Sequence, residues 1–62
     1  MDDVYITECT QQQSNMVHYK LNTLSGGTVT GRLVSWNRNS MTVQAGPTTN
    51  HYEVQGRYLV KR

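Results

Sequence analysis

Arg38, Asn39, Gln55 and Arg57 are the residues best equipped for chemistry in this chain. Arg38 and Asn39 fall in the polar run Asn37-Arg38-Asn39-Ser40, while Gln55 and Arg57 bracket Gly56. A guanidinium offers phosphate a rigid fork of donors and can stack its flat face on a base. Asn and Gln present both a donor and an acceptor, which suits an exposed base edge. A plainer reading is also open. Asx side chains stabilise turns, which accounts for Asn37 and Asn39 without a ligand. Arg57 could pair with Glu53 as an exposed ion pair worth little to stability. Trp36 and the four tyrosines could stack on bases, but in a chain without phenylalanine they are also its main aromatic bulk for core or interface. Met16 and Met41 are suited to packing.

Catalysis finds little support. No glycine-rich loop precedes a helix, and no Ser/His/Asp or paired-carboxylate arrangement is present. His18 and His51 have no partner nearby in sequence, and together with the single Cys9 they make no zinc-like cluster. The expectation is a non-enzymatic protein with no cofactor and no metal.

The chain has 62 residues, room for one domain whose core is marginal when alone. One cysteine allows no intrachain disulfide, so self-association is the expected staple. A lone thiol, an acidic rather than signal-like start and the lack of a bilayer-length apolar run fit a cytoplasmic protein. Asp2, Asp3 and Glu8 all lie in the first eight residues. Beyond them six basic residues face one acid, Glu53. A basic body suits a phosphate backbone, and equally an ordinary soluble surface.

The elements that must position these residues are short and β-like. Residues 1–15 form an N-terminal segment, a short helix or an extended stretch, in which Asp2 and Asp3 could cap a helix and Gln11-Gln12-Gln13-Ser14-Asn15 reads as loop. From Met16, the alternation of Val17, Tyr19 and Leu21 with polar residues predicts a strand. After the turn Ser25-Gly26-Gly27, residues 28–36 read as one longer strand that Gly31 must bend or bulge. Met41, Val43 and Ala45 alternate in a third strand. Gly46-Pro47-Thr48-Thr49-Asn50 makes a connection, Tyr52 and Val54 mark a fourth strand, and residues 57–61 a fifth. Five strands and short turns predict a small, strongly bent antiparallel barrel over residues 16–62.

Two stretches carry a family likeness. Val29-Thr30-Gly31-Arg32-Leu33-Val34-Ser35-Trp36-Asn37, followed by Met41 and Val43, resembles the first signature of the Sm-like family, which includes Sm rings and bacterial Hfq. Val54-Gln55-Gly56 and the hydrophobic Leu59-Val60 resemble the second. The likeness covers about residues 16–61, and the chain's brevity suits a compact phage or mobile-element form. Three positions depart from the family pattern: Asn37 stands for the usual Asp, Met41 for the Asn that reads a base, and Gln55 for the Arg before Gly. The resemblance implies a short N-terminal helix on a five-stranded, SH3-like rolled barrel. It also implies a cyclic homo-oligomer joined through the strands around Tyr52–Val54 and Tyr58–Val60, and a central pore that binds single-stranded, U- or A-rich RNA. On that basis Arg38, Asn39, Met41, Gln55 and Arg57 are the RNA-binding candidates, with Gly31, Trp36, Tyr52, Gly56 and Tyr58 structural or at the subunit interface. The rival is a structural or protein-binding SH3-like barrel with no nucleic-acid role.

Overall fold

A computed structural model describes residues 3–23 and 25–62. The helix-capping role considered for Asp2 lies outside those residues. Seven strands follow one another: β1 (Ile6–Gln13), β2 (Met16–Leu21), β3 (Gly27–Thr30), β4 (Arg32–Trp36), β5 (Ser40–Ala45), β6 (Thr48–Gln55) and β7 (Tyr58–Lys61). They build two antiparallel sheets, ordered β1-β2-β3 and β4-β5-β6-β7. The protein is all-β, as its alternation predicts, and no helix occurs among the described residues.

Two events turn five expected strands into seven. The expected long strand divides at Gly31 into β3 and β4, and the N-terminal segment adds β1. The helix implied for that segment is therefore corrected to a strand over Ile6–Gln13, which includes the glutamines expected to form a loop. The ladders do not close into a barrel. Of the two strands expected to join subunits, β6 lies inside its sheet between β5 and β7, so only β7 is an end strand.

Three irregularities in register set which side chains face inwards. Ile6 pairs with Leu21 and Glu8 with Lys20, leaving Thr7 as an extra residue; Gln12 and Val34 are extra in the same way. A β-bulge of this kind places two residues opposite one and shifts the alternation by a single position. Ile6 and Cys9, three apart, are thus both buried. Likewise Leu33 and Trp36 sit opposite Val43 and Met41, on the inner side of β4.

The core is small. Ile6, Cys9 and Val17 from the first sheet meet Met41 and Val43 from the second, with Tyr19, Leu21, Val29, Leu33, Tyr52, Val54 and Leu59 packed around them. Cys9 Sγ donates to Met41 Sδ at 3.6 Å, a contact that crosses between the sheets. The molecule measures 38 × 21 × 14 Å, and its thin dimension matches two face-to-face sheets spaced roughly 10 Å apart.

Gly31 is the hinge between the layers. Its φ is +139°, and a Cβ there would lie 2.4 Å from Val43 Cγ1 and 2.7 Å from the Gln44 carbonyl oxygen. No side chain fits without displacing the core or the neighbouring strand.

Candidate nucleic-acid interface

Two tight turns carry Arg38, Asn39 and Arg57 to one end of the second sheet. In the first, the Asn37 side chain accepts hydrogen bonds from the Asn39 amide (2.8 Å) and the Ser40 amide (3.0 Å). The Asn37 amide in turn donates to the Ser40 carbonyl at 2.8 Å. Asn37 therefore holds the turn, in agreement with the turn-stabilising reading of its side chain. The second is the two-residue loop Gly56-Arg57 between Gln55 and Tyr58. Gly56 has φ +63°, and among the described residues only glycines have a positive φ. A positive φ at only the first loop position is the type II′ pattern, which matches the twist of paired strands.

A backbone bond locks the two turns together: the Val54 amide donates to the Asn39 carbonyl at 2.8 Å. Between them lies a groove of about 790 Å³ whose lining includes Arg38, Asn39, Val54, Gly56 and Arg57. Three of the five expected binding residues therefore share one concave surface. Among the described residues neither Arg38 nor Arg57 forms an ion pair. Glu53, the acid considered as a partner for Arg57, is bound instead by Arg62 at 3.1 Å and by the Gln55 side chain, whose Nε2 donates to it at 3.2 Å. Asp3 at the groove margin is the acid among the lining residues, leaving the described rim with a positive balance.

The far wall is the N-terminal segment. Tyr5 donates its amide to Asn22 Oδ1 (2.9 Å) and accepts from the Asn22 amide (3.1 Å), while Asn22 Nδ2 donates to the Asp3 carbonyl (2.9 Å). One asparagine thus does for residues 3–5 what a neighbouring strand would do. The next amide, of Ile6, donates to the Arg38 carbonyl at 2.8 Å. The Arg38 guanidinium carbon lies 4.5 Å from the centre of the Tyr5 ring, a cation–π contact.

Two expected binding residues do not join the groove. Met41 is 1% exposed, in the middle of the core, so the base-reading role assigned to it is corrected to packing. Gln55 is exposed but lies outside the groove lining, with its amide turned to Glu53. Among the structural candidates, Tyr52 and Trp36 flank Met41 on neighbouring strands. Tyr52 packs against the core, whereas Trp36 remains 40% exposed. Tyr58 is 73% exposed on the end strand β7.

Sequence reasoning missed Tyr5 and Asn22. The β-branched Ile6 and Thr7 beside Tyr5 favour an extended segment, but nothing in sequence links it to Arg38, 33 positions on. A second groove, of about 430 Å³, lies near Gly31 and takes in Asn15, Arg32 and Gln44. None of the expected RNA-binding residues lines it.

Set against protein-family models, curated proteins and solved structures, the chain matches none.

Proposed function

We propose that this protein is a non-enzymatic, Sm-like single-stranded RNA-binding protein that works as a cytoplasmic ring of identical copies. The observation that carries the reading is the groove in which Arg38, Asn39 and Arg57 meet, with both arginines free of ion pairs among the described residues. Guanidinium groups so placed favour a phosphate backbone, and the attraction weakens with salt as counterions are released. The binding step makes and breaks no bonds. Each copy contributes modest contacts, and several copies around one axis bind a flexible strand with avidity.

In this reading the two sheets are the halves of the family's bent barrel. β3 and β4 stand for its single long strand, hinged at Gly31, and β1 takes the place of the N-terminal helix. β7 supplies the edge for assembly. It is an end strand carrying Tyr58 and Val60, both exposed. An unpaired edge is a template for another chain, and a head-to-tail contact that closes gives a ring. The same exposed edge also favours the rival reading, a structural or protein-binding barrel that recruits a partner strand.

Fluorescence anisotropy with short labelled RNA homopolymers separates the two. The RNA reading expects binding to oligo-U or oligo-A that weakens steadily from low to high salt. Absence of salt-dependent binding to every homopolymer removes it in favour of the scaffold reading. Native mass spectrometry tests the ring, for which a stable monomer at micromolar concentration is the contrary result.

A further inference from the structure

The two arginines of the groove differ in their surroundings. Arg57 occupies the second position of a two-residue turn and makes no cation–π contact among the described residues. Arg38 lies over Tyr5 at 4.5 Å. The Tyr5 backbone is fixed on both sides by Asn22, and the Arg38 carbonyl is fixed by the Ile6 amide at 2.8 Å. The backbones that carry the ring and the guanidinium are therefore each anchored by their own hydrogen bonds before any ligand arrives. A guanidinium is planar, and a ring beneath it favours one orientation of that plane. A flat cation already ordered by its neighbour needs less ordering on binding than a freely rotating side chain.

Resting on the RNA reading above, we infer that Arg38, held flat by Tyr5, is the groove's base-stacking platform, while Arg57 serves the phosphate. The ligand element is an unpaired nucleotide, whose base extends a stack of Tyr5, guanidinium and base. Tyr5 is a positioning residue here, acting through Arg38. A base within a duplex has both faces covered by its neighbours and cannot join such a stack, so the platform selects single strands. Stacking tolerates every base, because each has a π-face. Any sequence preference falls to the side chain of Asn39, which has no hydrogen-bond partner among the described residues.

The test separates base from backbone. Binding of labelled oligo-A is compared with that of an abasic ribose-phosphate oligomer of equal length, which keeps the charge and removes the base. The unmutated protein should prefer oligo-A by roughly tenfold or more. Arg38→Lys keeps the charge but loses the plane, and should shrink that preference to about twofold while leaving the salt dependence in place. Tyr5→Leu should do the same, and Tyr5→Phe should retain the full preference. Arg57→Lys should also retain it. Arg38 is exposed, so its lysine variant leaves the core untouched. If Arg38→Lys keeps the whole preference for oligo-A over the abasic strand, the platform is wrong although RNA binding stands. If the unmutated protein binds neither oligomer, the RNA reading falls and takes the platform with it.

Discussion

The Gln11 side chain is bonded to both flanks of the hinge that Gly31 creates. Its Nε2 donates to the Gly31 carbonyl at 3.1 Å, and its Oε1 accepts from the Leu33 amide at 2.7 Å. The same Nε2 also donates to the Met16 carbonyl at 3.0 Å. A side-chain amide carries the donor and acceptor of a peptide group, so Gln11 supplies the pairing that the backbone loses where the chain leaves one sheet for the other.

Gln11→Ala is expected to lower stability by about 1–2 kcal/mol, the value of hydrogen bonds that water can partly replace. Gln11→Glu should cost more at neutral pH, since a carboxylate has no donor for the carbonyls it would face. Protonation restores one donor, so the difference between the two variants should narrow as pH falls through about 4. Urea denaturation at pH 7 and pH 3.5 measures both effects. Equal stability of the glutamate variant and the parent at pH 7 would contradict this account.

Gly31→Val should be among the most damaging single changes. The new side chain meets Val43 and the Gln44 carbonyl well inside contact distance, and the penalty should exceed the ~1 kcal/mol range of ordinary strand preferences. By contrast a Cβ at Gly56 meets nothing within 4 Å. Gly56→Ala should cost only about 1–3 kcal/mol, for holding an L-residue in the sparsely populated backbone region of a type II′ turn. Thermal melts of the two variants should rank Gly31→Val clearly below Gly56→Ala.

Met41 should matter to folding and not to binding. Met41→Leu conserves volume and should cost under about 1.5 kcal/mol. Met41→Ala leaves a cavity in a five-residue core and should cost roughly 2–5 kcal/mol. Any RNA affinity measured for the leucine variant should equal the parent's. A selective loss of affinity in a folded Met41→Leu protein would return this residue to the binding set.

Cys9 should be a slow thiol and a source of alkaline instability. Burial, and after it the charge of Glu8, push its pKa up from 9.0 to about 11. The folded state therefore keeps the proton that the unfolded chain releases above pH 9. This contribution to stability is complete below pH 9 and declines as pH rises towards 11. Cys9→Ala should remove that part of the decline, so its stability relative to the parent should improve between pH 9 and 11. Chemical denaturation at a series of pH values gives the comparison. A constant difference between the two proteins over that range would rule the thiol out.

Arg57 and Arg62 provide a charge-matched contrast. Arg62 is engaged with Glu53, whereas Arg57 faces the groove. Arg57→Ala should weaken RNA binding and reduce its salt slope by about one, while Arg62→Ala should change the slope little. Equal losses in the two variants would mean that net charge alone governs binding.

Strands with unbroken alternation could be read from sequence. Met16–Leu21 and Ser40–Ala45 follow the period of two, and the break at Gly31 was marked by its residue type. β1 was hidden because extra residues at Thr7 and Gln12 scramble the alternation, and because the family likeness argued for a helix. The error over Met41 had the opposite cause. Its alternation with Val43 already marked it as an inward-facing residue, and the likeness to a base-reading position outweighed that signal. The turn that holds Arg38 and Asn39 is legible from the polar run around it, whereas Arg57, expected to open the fifth strand, belongs to the turn before it. Tyr5 and Asn22 were not legible, since their roles arise from contacts between segments far apart in the chain.

The bulge at Val34 makes chain length and facing direction separable properties of β4. Deleting Val34 would leave Leu33 opposite Val43, Ser35 opposite Thr42 and Trp36 opposite Met41, the pairs that exist already. Every side chain would keep its side of the sheet. What the strand would lose is curvature, because bulges accentuate bend and twist. A flatter β4 would wrap less closely over Ile6, Cys9 and Val17. In a protein whose core is five side chains, the residue that no partner pairs with helps to bend the wall around it.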